Sequence, residues 1–494
     1  MNEYKRFTKD TGIITIAQLS RKIRGIILIP IIARSLGAAP YGIYSLLIVS
    51  IYMLHPISTL NLTQPLLRFI PGEKDKKEKS SKYFSTLLLG GISSTIISIL
   101  FYFGAEFLAT YVFKDPGSTQ IIQAGAFFLF ISSLNRITVP YLLANRNTVQ
   151  YSSLRIAKEL GPAILAVILL SQKAGLKEVI YGFVLVELLV LIISFMVIFR
   201  ALDYVSPSPK KIKPWLRYSL PLIPQTISNW IIASIDRYLI GFLLASPAYV
   251  GFYAVAYGIG TVVGIFLKPI QTLTLPTFSR LWEQGKKTEL RNHFRYTLKY
   301  FIAFAVPAVF GLSVLGRELV LIFAGREFVQ HAVIIIPIVS VAILCNNIYN
   351  INGRIFELKK ETGYTARLWM LMAALNIALN LVLIPRVGLL GAASSTLVCF
   401  IIPAIVSSIK VNKTLEIGFD WVFLAKTIIS SLIMVLGVYF IRYNTFPEIF
   451  ISIFIGALIY TICIFLLRGF EKKEIEFFRD IARSALRKYL GLKV

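Results

Sequence analysis

The sequence is poor in the residues that most enzyme chemistry uses. It has three cysteines and three histidines in 494 residues. Cys345, Cys399 and Cys463 sit in separate apolar runs with no partner at ligand or disulfide spacing, so neither a metal site nor a redox role follows from them. Acidic residues are scarce as well, 25 Asp and Glu against 52 Lys and Arg. No Walker A loop is present, which argues against a built-in ATPase. No grouping of His or Cys within an apolar run suggests an intramembrane protease. The short connections expected on the outer side carry few acids, unlike those of an integral glycosyltransferase. No catalytic residue, metal or cofactor is therefore expected. Nor does a small-residue cleavage pattern follow the first apolar run before Pro40, so that segment is expected to stay on the chain.

What is abundant is apolar surface. The chain is 56% hydrophobic and 16% charged, with a mean hydropathy of +0.71. That composition fits an all-α polytopic membrane protein. Apolar runs of about 20 residues between polar breaks give fourteen expected spans, at 11–36, 41–69, 83–113, 118–144, 151–171, 176–200, 215–244, 248–279, 292–323, 328–352, 364–385, 388–410, 420–442 and 446–468. Cations outside the spans concentrate in alternate connections. The connection after the second span holds Lys74, Lys76, Lys77, Lys79 and Lys82, whereas those of the other set hold single cations such as Lys114, Lys173 and Arg326. The positive-inside rule then places both termini in the cytoplasm of a cell-membrane protein. It also accounts for most of the net charge of +27, so no nucleic-acid partner is needed.

The first span is the anomaly. It carries Arg21, Lys22 and Arg24, and the clean run Gly25 to Ala33 is too short to cross alone. Starting from Thr11, Arg21 falls roughly 15 Å into a core about 30 Å thick. A cation facing lipid there costs on the order of 3 kcal/mol, so several imply a wet interior. Gln18, Arg21, Gly25 and Leu28 share one stripe, with Arg24 beside it. An alternative ends a cytoplasmic amphipathic helix at Arg24, but Arg34 closes the apolar run too early for a span that starts at Gly25.

An internal repeat organises the rest. Pro40-Tyr41-Gly42-Ile43-Tyr44 is answered by Tyr249-Val250-Gly251-Phe252-Tyr253, His55-Pro56-Ile57 by Lys268-Pro269-Ile270, and Pro65 with Arg68 by Pro276 with Arg280. The halves start six spans apart, so the repeat is parallel with its pseudo-twofold axis along the membrane normal. The expected domains are an N-terminal lobe at 1–205, a Pro- and Lys-rich cytoplasmic linker at 206–214, and a C-terminal lobe at 215–412. An additional helix pair follows at 413–469, then a basic tail at 470–494. The tail has the pattern of a helix lying on the anionic inner leaflet, or of a solvated one.

Ionisable groups within the other spans are candidate site residues. Arg237 answers Arg24 through the repeat, and two such helices would line a cationic cavity for an anionic cargo, above all phosphate or diphosphate, which Arg binds bidentately. Arg34 and Arg136 join Gln18, Arg21, Arg24 and Arg237 as candidate cargo contacts. Asp236 and Glu187 are candidates for ion coupling or charge pairing; the alternative for Glu187 is a structural pair with Arg136 or Arg155. Asp236 and Arg237 are about 100° apart and cannot simply neutralise each other, which leaves a partner on a different helix. Lys268 precedes Pro269 and is expected to snorkel. Pro30, Pro221 and Pro224 are candidate hinges. His55 reads as a packed or pore-lining residue.

Ala33-Arg34-Ser35-Leu36-Gly37 running into Tyr41-Gly42-Ile43-Tyr44 resembles the opening of Wzx-type oligosaccharide flippases. These belong to the polysaccharide-transport branch of the multidrug/oligosaccharidyl-lipid/polysaccharide superfamily. Asp236 and Arg237 followed by Gly241 are similar to their seventh helix. Asn376, Asn380, Leu383-Ile384-Pro385, Gly388 and Gly391-Ala392-Ala393 look like their eleventh-to-twelfth helix signature. The resemblance implies two six-helix lobes in a V and a flippase, not an enzyme, that moves a polyprenyl-diphosphate-linked oligosaccharide outward by alternating access. It implies Arg21, Arg24 and Arg237 on the diphosphate or glycan path, and the last two helices as the place for lipid tails. The expected partners are the lipid-linked oligosaccharide and membrane lipids, with a glycan polymerase or glycosyltransferases beside a monomeric protein. The coupling ion, Na⁺ or H⁺, stays open, as does a lipid II flippase or a cation-coupled drug exporter of the same superfamily.

Overall fold

The structure, a computed structural model, describes residues 3–266, 274, 277–359, 361–440, 446–476 and 479. Within the helices the side chains of Gln18, Arg21 and Lys22 lie outside that description, as do Lys268, Pro269, Ile270, Pro276 and most of the basic tail. Among the described residues every regular element is a helix. The longer ones are α1 (Glu3–Leu36), α2 (Ala38–Ser58), α3 (Lys76–Phe103), α4 (Thr119–Ala144), α5 (Thr148–Ser171), α6 (Leu176–Ala201) and α7 (Ile223–Leu244). They are followed by α8 (Pro247–Gly260), α9 (Lys287–Val314), α10 (Ile335–Leu358), α11 (Thr362–Val387), α12 (Leu389–Leu415), α13 (Trp421–Tyr439) and α14 (Phe446–Leu466).

Twelve segments among the described residues are long and apolar enough to cross a membrane. The two helices outside that set are α1, with Arg21, Lys22, Arg24 and Arg34, and α5, with Arg155, Lys158 and Glu159. These two pack against each other along much of their length. The charge that makes each a poor solitary span is thus partly met by the other.

Several expected spans are broken where the backbone turns. The second ends at Ser58, because Leu60 and Asn61 adopt left-handed conformations (φ 49° and 51°) before a short helix over Thr63–Phe69. The seventh is preceded by a short helix (Lys213–Ser219) and a 3₁₀ turn (Leu220–Leu222). Pro221 and Pro224 therefore sit at helix starts, where a missing N–H costs nothing. Gly388 (φ +62°) makes the turn between α11 and α12, and a Cβ at Gly391 would lie 2.4 Å from the Leu383 carbonyl oxygen. Both glycines of that signature are thereby explained.

The chain divides into two compact units. The first comprises Met1–Gly258, Val320–Ile335 and Gly363–Cys399. In it α4 packs on α3 and α6, α5 on α6, and α7 on α2. In an apolar cluster Tyr83, Tyr141 and Trp215 are buried with Ile212, which anchors the linker to the unit. Ser208 N–H donates to Ser85 Oγ at 2.7 Å, and Lys211 pairs with Glu78 at 2.6 Å.

In the same unit the two repeat glycines meet. A Cβ on Gly42 would stand 1.8 Å from the carbonyl oxygen of Pro247, and one on Gly251 would stand 2.1 Å from that of Ala38. Helices α2 and α8, matched in the sequence repeat, cross in backbone contact at those positions.

The second unit comprises Ile259–Leu319, Ile336–Thr362 and Phe400–Val494. Here α13 packs on α9 and on α14. Lys299 of α9 is buried and donates to Glu474 Oε2 at 2.6 Å, its Nζ 5.0 Å from the Phe423 ring and 5.4 Å from Phe470. A charge pair this deep stabilises only while both partners are present. Lys299→Ala is expected to lower stability by about 3–5 kcal/mol, read as a fall in melting temperature of the detergent-solubilised protein, with Lys299→Ala/Glu474→Leu recovering part of the loss.

Candidate functional site

The site begins at Arg24, on the buried side of α1. Its Nη1 lies 2.9 Å from Glu159 Oε2 on α5, and its Nη2 donates to the Tyr52 hydroxyl on α2 at 2.8 Å. The Arg24 and Glu159 side chains are 18% and 11% exposed, so the pair sits in a largely desolvated seam.

Successive positions on a helix point about 100° apart, and α5 uses this. Glu159 turns to α1, while its neighbour Lys158 turns to α6 and pairs with Glu187 Oε2 at 3.2 Å. Asn135 Nδ2 of α4 donates to the same oxygen at 2.6 Å and to the Glu187 main-chain carbonyl at 2.8 Å. Glu187, 2% exposed, is thus a staple of α4, α5 and α6. Its cation is Lys158 and not Arg136 or Arg155. Arg155 is turned instead to the hydroxyl of Tyr151 one turn earlier on its own helix, and Arg136 is exposed.

On α7, Asp236 is fully buried and accepts from the Tyr253 hydroxyl of α8 at 2.5 Å, with its second oxygen taking the Arg237 N–H at 2.8 Å. The partner on a different helix is therefore a tyrosine. The Arg237 guanidinium lies over the Tyr257 ring, 4.8 Å from its centroid. Its Nε is buried without a hydrogen-bond partner, and it forms no salt bridge among the described residues. Helix α7 is held on α2 by Trp230 Nε1 donating to the Val49 carbonyl at 3.0 Å and by a contact between Tyr238 and Ser50. The helices of Arg24 and Arg237 therefore both pack against α2.

The remaining candidates are elsewhere. Arg34, in the last turn of α1, donates to the Ile322 carbonyl at 3.1 Å in an exposed setting. Arg136 accepts a hydrogen bond at its main-chain oxygen from Thr63 Oγ1 at 2.7 Å. Pro30 lies within α1, six residues past Arg24. His55 is packed, its Nε2 2.9 Å from Ser132 Oγ. Asn376 and Asn380 are fully buried on α11, with Asn380 Nδ2 donating to the Asn376 carbonyl at 2.8 Å. Sequence reasoning passed over Lys158, Glu159 and Lys299. The signal was there for the first two, three charges within five residues of an otherwise apolar run.

A model of the family described as polysaccharide biosynthesis protein matches residues 31–333. The chain belongs to this family. Among curated relatives, the chain is 26% identical over 260 residues to the probable low-salt glycan biosynthesis flippase Agl15 of Haloferax volcanii, covering 52% of this chain and 54% of that one. It thus spans about half the length of that relative. It is 21% identical to the uncharacterized membrane protein MJ1068 of Methanocaldococcus jannaschii, over 86% of this chain and 88% of that one. Among solved structures it matches the lipid II flippase MurJ in its inward closed conformation, at 18% identity and a TM-score of 0.75, covering 95% of this chain and 99% of that one. It also matches an inward-facing multidrug resistance MATE family transporter of the MOP superfamily, at 14% identity and a TM-score of 0.68, over 81% and 94%. These structures share the fold of this family member, which is a multi-pass membrane protein.

Proposed function

We propose that the protein is a flippase that carries a polyprenyl-diphosphate-linked oligosaccharide from the cytoplasmic to the outer leaflet of the cell membrane. The observation that carries this reading is the family match over residues 31–333, which places the chain in polysaccharide biosynthesis. The names of two relatives from Haloferax volcanii, a probable low-salt glycan biosynthesis flippase and a probable flippase, agree with it. The fold is shared with a multidrug transporter as well as with MurJ, so fold alone does not choose between a drug and a lipid-linked glycan; the family match supports the glycan.

In this reading α1 and α5 cross together as a charge-matched pair and complete fourteen spans, with both termini in the cytoplasm. Arg24 and Arg237 line a cationic path used by alternating access, Arg24 as a fork for the diphosphate and Arg237 as the cation of the second half. Bending of α1 at Pro30 would move Arg24 along that path. Glycosyltransferases that build the glycan and a polymerase that consumes it are the expected functional neighbours of a monomeric carrier.

The test is reconstitution. Proteoliposomes loaded with a fluorescent polyprenyl-diphosphate oligosaccharide should lose half-protection of the label faster than protein-free vesicles, by at least about tenfold, a difference of 1.4 kcal/mol in barrier. Equal rates would overturn the proposal.

A further inference from the structure

We infer that Glu159 is a stand-in for the cargo's anion: it holds Arg24 in the empty protein, yields it to an incoming diphosphate, and takes up a proton as it does so, which couples loading to proton binding. The inference rests on the diphosphate reading above and adds a coupling group to it.

The geometry is that of an occupied anion site. Arg24 presents a planar fork whose Nη1 faces the Glu159 carboxylate at 2.9 Å and whose Nη2 faces the Tyr52 hydroxyl at 2.8 Å. A phosphate that takes both Nη groups displaces Glu159 from beside Nη1 and Tyr52 from Nη2, because the carboxylate lies at ion-pair distance where a phosphate oxygen would sit. Carboxylate and phosphate compete for the same cation.

What happens to Glu159 after displacement follows from its other neighbours. From α1 it faces Arg24, and α2 contributes Tyr52 to the same guanidinium. On its own helix the cations are Lys158 and Arg155. Lys158 is engaged by Glu187 of α6 at 3.2 Å, with Asn135 of α4 on the same oxygen, and Arg155 is turned to Tyr151. Among the described side chains no other cation is placed to replace Arg24. The residue is 8% exposed, and a desolvated carboxylate stripped of its cation is costly enough to be neutralised instead. The carboxylate oxygen takes a proton from bulk water to form a carboxylic acid, and nothing is oxidised or reduced. When cargo leaves, Arg24 returns, the proton is released, and the cycle resets.

Glu187 and Asp236 are less suited to this exchange. Glu187 keeps Lys158 and Asn135 whatever Arg24 does, and Asp236 is held by Tyr253. The coupling group is thus the carboxylate whose one ion-pair partner among the described residues is also the cargo's ligand.

The experiment is calorimetric titration of the full-length protein in nanodiscs with farnesyl diphosphate, in two buffers of different ionisation enthalpy, between about pH 6 and pH 8. Wild type should take up close to one more proton per diphosphate than Glu159→Gln, a comparison that cancels the titration of the probe itself. Its affinity relative to Glu159→Gln should fall toward about tenfold per pH unit at the alkaline end, the slope of a one-proton linkage. Glu159→Gln should bind at least about tenfold tighter near pH 8, because the competitor is gone. Glu159→Asp should keep the extra proton, and Glu187→Gln should keep the wild-type count, which separates exchange from general loosening of α5.

If Glu159→Gln matches wild type in affinity and proton count, the inference falls while the diphosphate reading stands. If wild type and Arg24→Ala bind the probe equally or not at all, both fall.

Discussion

Replacing Arg24 with alanine is expected to lower the initial rate of glycan-lipid reorientation by about 100-fold. The magnitude follows from losing a charge-assisted contact worth roughly 1.5–3 kcal/mol, at 1.4 kcal/mol for each factor of ten. The substitution also leaves the Glu159 carboxylate without the cation 2.9 Å away, so part of any loss could come from the fold. Two companions separate these effects. Arg24→Ala/Glu159→Gln removes the orphaned charge and should restore the melting temperature without restoring transport. Arg24→Lys keeps the charge but not the planar fork, and should fold normally with transport still reduced by about tenfold or more. Full activity of Arg24→Ala in reconstituted vesicles would remove Arg24 from the cargo path.

The second large effect is structural. Gly42→Ala and Gly251→Ala each place a methyl group where a backbone atom of the opposing helix already is, 1.8 Å from the Pro247 carbonyl oxygen and 2.1 Å from that of Ala38. The obstacle is main chain, so no rotamer change relieves it and α2 and α8 must separate. Their parting would loosen the aromatic contacts beside the crossing, Tyr41 with Phe328 at 6.4 Å and Phe252 with His331 at 4.6 Å. A loss of about 3 kcal/mol, the upper part of the overpacking range, is expected for either change. Gly25 of α1 is the control, since nothing lies within 4 Å of a Cβ built there. Gly25→Ala should be neutral or stabilising by up to about 1 kcal/mol. Thermal unfolding of the three variants in one detergent distinguishes the outcomes, and a stable Gly42→Ala protein would contradict the close crossing.

The same crossing shows how far the sequence can be read. The repeat is visible in Tyr41-Gly42-Ile43-Tyr44 and Tyr249-Val250-Gly251-Phe252-Tyr253, because matching glycines and aromatics leave a trace in one dimension. That the two glycines touch is not visible, since a repeat states equivalence and not contact. The charges divide in the same way. Arg24, Glu187 and Asp236 stand out as expensive groups in apolar runs, yet their partners lie far off in the chain: Glu159, Lys158 and Tyr253 are fixed by which helices pack, not by local spacing. Lys299 and Glu474 are further apart still, 175 positions in sequence, and neither was expected. Helix ends were misplaced where the cause is a left-handed residue of ordinary type, such as Leu60 or Asn61, with no local glycine to announce it. The prolines at 221 and 224 lie inside the candidate span Pro209–Leu244, at the junctions of a short helix, a 3₁₀ turn and α7, a division that the spacing of the prolines does not announce.

The central claim is that the cargo is read through its diphosphate by Arg24. It is tested most directly by comparing, in the same proteoliposomes, the reorientation rates of a glycan attached to a polyprenol through diphosphate and of the same glycan attached through a neutral ether. The account predicts that the diphosphate lipid is moved at least about tenfold faster and that the difference collapses in Arg24→Ala; equal rates for the two lipids in the wild-type protein would contradict it.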